Sequence, residues 1–185
     1  MSTPLSRRRF AMLGAAACAG LAGCEAADPL TEAPREMGNF RLGFNIVVAE
    51  NAKKIPPSRN AEPAEWQAVL KSEIDRRFGR YEGAKEFHIA LNIDGYALAP
   101  PGIPIVLTPK SILVVSANIW SAELGQKILG PEQISTFEGA DTLLLGSGLV
   151  KTADEQMVTL ARNMAGKVQS WMLRNPEWFD LPPRG

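Results

Sequence analysis

Cysteine, histidine and long apolar runs are what this chain has least of. Only two cysteines occur in 185 residues, Cys18 and Cys24, and both precede every patterned segment. A disulfide framework or a thiolate metal site is therefore excluded for the chain beyond them. His88 is the single histidine. One imidazole cannot supply the three or four nitrogen or sulfur ligands that zinc takes, and any Ser–His–Asp arrangement would have to use this residue. No later stretch approaches the roughly twenty apolar residues of a membrane-spanning helix. The whole chain has 20 basic and 20 acidic residues.

What is present begins at the N-terminus. Ser6-Arg7-Arg8-Arg9-Phe10 is positively charged, Ala11–Gly20 is weakly apolar and too short to span a bilayer, and Leu21-Ala22-Gly23-Cys24 follows. That order reads as a processing signal rather than a structural element. Leu21-Ala22-Gly23-Cys24 resembles a bacterial lipobox, and the resemblance implies cleavage before Cys24 and a lipid (a palmitate-type acyl group) on it. Arg7, Arg8 and Phe10 resemble the twin-arginine export signal, Ser-Arg-Arg, any residue, then Phe. Ala11 and Met12 depart from that pattern, so an ordinary secretory signal with three arginines stands as the alternative. Removing residues 1–23 removes three arginines and no acid, leaving 162 residues with 17 basic against 20 acidic groups, net −3. Nucleic-acid binding needs a basic stripe, so it is not expected.

Four segments follow: a signal at 1–23, the lipidated cysteine and a flexible tether at 24–39, a single α+β domain at 40–179, and a tail at 180–185. Phe40, Leu42, Phe44, Ile46 and Val48 alternate with Arg41, Gly43, Asn45 and Val47, as in a strand with one buried face. Trp66, Val69, Leu70, Ile74 and Phe78 have helical spacing behind Pro63, with Gly79 expected as a left-handed stop. Phe87, Ile89, Leu91 and Ile93 mark a second strand, whose Asp94-Gly95 reads as a turn or a bulge. Ser111–Trp120 is apolar on both faces, which suits a central strand. A further strand begins at Gln126 and extends past Gly130-Pro131 towards Phe137. Thr152 and Glu155 make a capping box before a helical stripe of Met157, Leu160, Ala161, Met164, Val168, Trp171 and Met172. The expected architecture is a two-layer sandwich in the order β-α-β-β-β-α. Two helices cover one face of a mainly antiparallel sheet of about four strands, and Phe44, Ile46, Ile89, Leu91 and Val114 supply its core side. His88, Asn92 and Asp94 are expected on the second face.

No constellation of catalytic residues stands out. Ser116 is the serine that could approach His88, but it occupies no strand–turn–helix elbow. Gly146–Thr152 lacks the glycine that a phosphate loop places before Lys-Thr, because Val150 stands there, so no nucleotide is expected. The carboxylates Glu73 with Asp75, and Glu138 with Asp141, read as ordinary surface neighbours. No catalytic residue, cofactor or metal is expected, and the chain is not expected to be an enzyme.

With its lipobox and this order of elements, the chain resembles small bacterial envelope lipoproteins: the lipopolysaccharide-assembly lipoprotein, auxiliary lipoproteins of transport and secretion systems, and an uncharacterised lipoprotein family. The resemblance implies a non-enzymatic accessory, assembly or structural component, bound to the membrane through Cys24 and contacting another envelope protein. Glu25 after the cysteine, rather than aspartate, resembles the usual signal for the outer membrane, with the domain in the periplasm. A module binding lipid or another apolar ligand, between sheet and helices or under the proline-rich insert at 100–109, is the alternative; an envelope hydrolase around His88 is a third. Tyr96, Leu98, Ile103, Ile105, Trp178 and Phe179 are the candidate contact surface if they do not fold back on the domain.

Overall fold

Alternating side chains decide which strand surface is buried, and in this protein the ladder register shifts once in β1, once in β3 and twice in β5. A computed structural model describes residues 33–100, 111–138 and 152–182. From Arg35 onward the described residues build one unit. Strand β1 (Phe40–Val48) and the two-residue β2 (Lys53–Lys54) precede helix α1 (Pro63–Phe78). Strands β3 (Lys85–Ala97), β4 (Ile112–Ser121) and β5 (Gln126–Phe137) precede helix α2 (Ala153–Met172) and a 3₁₀ turn at Pro176–Phe179. The sheet runs β1-β3-β4-β5, with β2 also on β3. β1 and β2 pair with β3 in parallel, whereas β3–β4 and β4–β5 are antiparallel. This is an α+β fold with two helices and a mostly antiparallel open sheet.

Helix α1 starts where Pro63 tolerates the loss of an amide and where the Glu65 carboxylate accepts the backbone N–H of Glu62 at 2.8 Å. Its Trp66, Leu70, Ile74 and Phe78 are buried. At its C-terminus Gly79 stays right-handed (φ −68°, ψ −5°) and donates to the Asp75 carbonyl, so the expected left-handed stop is not used. Helix α2 has the capping box that its sequence announces: the Thr152 hydroxyl accepts the Glu155 N–H at 3.2 Å, and the Glu155 carboxylate accepts the Thr152 N–H at 2.7 Å.

Both helices pack on the face carrying Phe87, Ile89, Leu91, Ile93, Leu113, Val115, Ala117 and Ile119, all buried. These side chains and the helical stripes occupy the space between sheet and helices, the first location considered for an apolar ligand. The insert that begins with Pro100 is the second, and it lies largely outside the described residues.

Three expected core residues lie elsewhere. β1 pairs Leu42 with Phe87 but Asn45 with Ile89, so one extra residue is accommodated between them. This bulge reverses the alternation, as an inserted residue must. Asn45 and Ala49 turn inward, Val47 packs against the core, and Phe44, Ile46 and Val48 turn outward at 67%, 51% and 38% exposure. Gly43 permits the bulge, since a Cβ there would lie 2.6 Å from His88 Nδ1. Val114 is the third misplaced residue; its neighbours Leu113 and Val115 face the helices instead. At Asp94-Gly95 the chain continues through a bulge rather than turning.

Order extends beyond both expected domain boundaries. Met37 is buried within the span read as tether, and its sulfur lies 3.4 Å from Gln169 Nε2. Past Phe179, the Asp180 carboxylate accepts Asn39 Nδ2 at 2.8 Å and pairs with Lys85 at 2.7 Å.

Candidate contact surface

The expected contact residues separate once the fold is known. Tyr96, Leu98 and Phe179 are core residues and Trp178 is half-buried against that core, so these four fold back on the domain rather than forming an exposed patch. The cause is local. The Tyr96 ring meets Trp66 with centroids 5.3 Å apart, and Phe179 closes edge-on over Phe40 and Phe87 at 5.9 and 5.1 Å. Ile103 and Ile105 lie outside the described residues, as do Arg7, Arg8, Phe10 and Cys24, the span Thr142–Leu145 and the rejected phosphate-loop span before Thr152.

His88, Asn92 and Asp94 point away from the helices. Asp94 accepts Asn92 Nδ2 at 2.7 Å, the Ser116 hydroxyl at 2.7 Å and Gln133 Nε2 at 3.1 Å. A serine and a carboxylate therefore do meet. His88 stands six residues back along the same strand, about 20 Å away at the usual rise. Its Nδ1 accepts the Phe44 N–H at 3.0 Å, and its ring lies 4.8 Å from that of Phe44. His88 thus holds the β1 bulge, and it approaches neither Ser116 nor Asp94.

The Glu73 and Asp75 carboxylates also take different partners. Glu73 is nearly buried between Arg76 at 3.2 Å and Arg162 at 3.6 Å, joining the two helices, while Asp75 accepts from Asn45 Nδ2 at 2.9 Å. Asp141 lies outside the described residues. Among the described residues no group of three or more His, Cys, Asp or Glu side chains could hold a metal ion, and no helix is long and apolar enough to cross a membrane.

The exposed apolar side chains of β1 lie where the sequence alternation placed core. Phe44, Ile46 and Val48 line the outer side of β1, and Trp120, opposite His88 on β4, is half-exposed. Beside them a solvent-open groove of about 450 Å³ runs between β1 and α1, lined by Asn45, Ile46, Val47, Ala64, Gln67, Ala68 and Lys71. Gln67 donates to Glu50 at 2.8 Å beyond the end of β1. The Glu50 carboxyl is held below its ordinary range by its own backbone amide and then by Gln67. The bulge hid this surface from the sequence; the one available signal was the seven-residue span Leu42–Val48, which contains neither charge nor proline.

No protein-family model matches this sequence, nor does any curated protein. Solved structures show a partial likeness. A protein of the DUF330 family from Xanthomonas campestris is 12% identical, with a TM-score of 0.49, over 78% of this chain and 92% of its own. A candidate lipoprotein from Caulobacter crescentus is 12% identical, with a TM-score of 0.35, over 72% of this chain and 88% of its own. At these values the likeness assigns neither family nor activity.

Proposed function

We propose that this protein is a lipid-anchored component of the bacterial envelope that acts by contact with another envelope protein rather than by catalysis. The observation that carries the reading is Leu21-Ala22-Gly23-Cys24 behind a basic, then weakly apolar, segment. Acyl chains on Cys24 would each contribute about 0.8 kcal/mol per buried methylene, and more than one chain makes anchoring stable. Glu25 supports sorting to the outer membrane, with the domain in the periplasm. Arg7, Arg8 and Phe10 support twin-arginine export. The exposed apolar row Phe44, Ile46 and Val48 supports a contact function, since such rows on soluble faces mark interaction sites.

The test is metabolic labelling of the full chain in a bacterial host with an alkyne-bearing palmitate, followed by membrane fractionation. Wild-type protein takes the label and leaves the outer-membrane fraction only with detergent, whereas Cys24→Ala is unlabelled. An unlabelled wild-type protein that fractionates as soluble would overturn the reading.

A further inference from the structure

β1 is an edge strand, and the edge strands of stable proteins are protected by charge, proline or a covering element because their unpaired N–H and C=O groups invite another strand. The two edges of this sheet differ in that respect. β5 carries Pro131, the Lys167 ammonium donates to its Ser135 carbonyl at 2.8 Å, and Asn163 Nδ2 donates to its Phe137 carbonyl at 3.4 Å. Among the described residues, the backbone of β1 is bridged on its outer side only at its start, between Arg41 and Glu82. From Leu42 to Val48 no strand among the described residues pairs with its outer side, and no charge or proline interrupts it. The bulge lies at the near end, so Asn45–Val48 keep a regular register with Ile89–Asn92.

We propose that the free edge of β1, with the groove between it and α1, receives an extended segment of a partner polypeptide, which adds to the sheet as a further strand. The proposal gives a location to the contact in the function proposed above. Three observations select this occupant. Ala64 and Ala68 lie one helical turn apart on the side of α1 facing β1, and their short side chains leave the groove unfilled. Asn45 is only 9% exposed, and its Oδ1 is a buried acceptor without a hydrogen-bond partner. The groove mixes this amide, Gln67 and Lys71 with Ile46 and Val47, too polar for an acyl chain and too weakly cationic for a nucleic acid.

An extended backbone matches what remains. It supplies N–H and C=O groups at the strand period, as the edge requires. Its alternate side chains would fall into two rows. One row, small or acidic, lies over Ala64, Ala68 and Lys71; the other, apolar, continues the row of Phe44, Ile46 and Val48 on the outer face.

The experiment pans a phage-displayed library of random linear peptides against the full-length protein in detergent, then measures synthetic copies of the enriched peptides. We expect enriched peptides with apolar residues at alternate positions, and exchange of the outward-facing amides within Asn45–Val48 slowed about tenfold or more on binding. N-methylation of alternate peptide amides should abolish binding, while Ala64→Trp or Ala68→Trp should weaken it about tenfold or more. Both alanines are exposed, and circular dichroism melts establish that the variants fold. Phe137→Lys, at the other edge, should bind as wild type. Failure to enrich any such peptide, or binding that survives backbone N-methylation, would overturn the proposal. So would concentration-dependent dimerisation that protects the β1 amides without peptide, since the occupant is then a second copy. None of these readouts depends on the lipid, so this proposal and the anchor at Cys24 fail separately.

Discussion

Gly83 and Gly125 both lack a side chain, and the space around them predicts opposite costs for restoring one. A Cβ on Gly83 would lie 2.1 Å from the Asn39 carbonyl carbon and 2.5 Å from the Phe40 amide nitrogen. These are backbone atoms where the Gly83 and Lys85 amides fasten the chain to the start of β1, so nothing nearby can swing aside. Gly83→Ala should cost about 3 kcal/mol or more in urea unfolding, as strained core changes do. Gly125 is left-handed (φ +62°) with nothing within 4 Å of its added Cβ. Gly125→Ala should therefore cost only the intrinsic strain, about 1–2 kcal/mol. Asp180 makes a prediction about pH. The Asn39 amide first, and Lys85 second, hold its carboxyl below the ordinary aspartate range. Because the charged form is the bound form, its contribution is complete above the unfolded pKa and is lost as pH falls through the lower folded value. An NMR titration should place its midpoint below that of an exposed aspartate, and Asn39→Ala should move it upward.

Among the elements, β1 separates what the sequence displays from what it conceals. Ile46→Lys places a charge on an already exposed position and should leave the melting temperature near wild type. Ile89→Lys, on the buried face of β3, should abolish cooperative unfolding, since an unpaired charge cannot be accommodated there. Hydrophobic alternation alone would place Ile46 and Ile89 together in the core. The helices were legible because the stripe from Met157 to Met172 repeats at the helical period and Thr152 with Glu155 cap it within four residues. β5 showed only its Gln126–Leu129 start and an extension past Gly130-Pro131, whereas β3 and β4 were legible because apolar patterning runs nearly unbroken along each. The bulge in β1 was not, because it depends on where Gly43 meets the His88 imidazole, a residue 45 positions later. The burial of Tyr96, Leu98 and Phe179 depends likewise on partners distant in sequence. Of the proposed docking groove, only the unbroken Leu42–Val48 segment could be read beforehand; the spacing between β1 and α1 is a tertiary property.

At the scale of the whole molecule, the two ends of the described chain complete each other. The Asn39 amide donates to the Phe179 carbonyl at 2.9 Å, and the Phe179 ring covers Phe40 and Phe87. Phe179→Ala should cost about 3–5 kcal/mol, as expected for emptying a fully buried aromatic site. The melting temperature should fall on the order of 10 °C in calorimetry of the full chain. The reach of that contact also sets the timing of biogenesis. A nascent chain grows from its first residues, and most domains begin to fold while later residues are still being added. Here the first strand lacks its aromatic cover until Phe179 has cleared the ribosomal exit tunnel. The start of β1 therefore gains its full packing only late in synthesis.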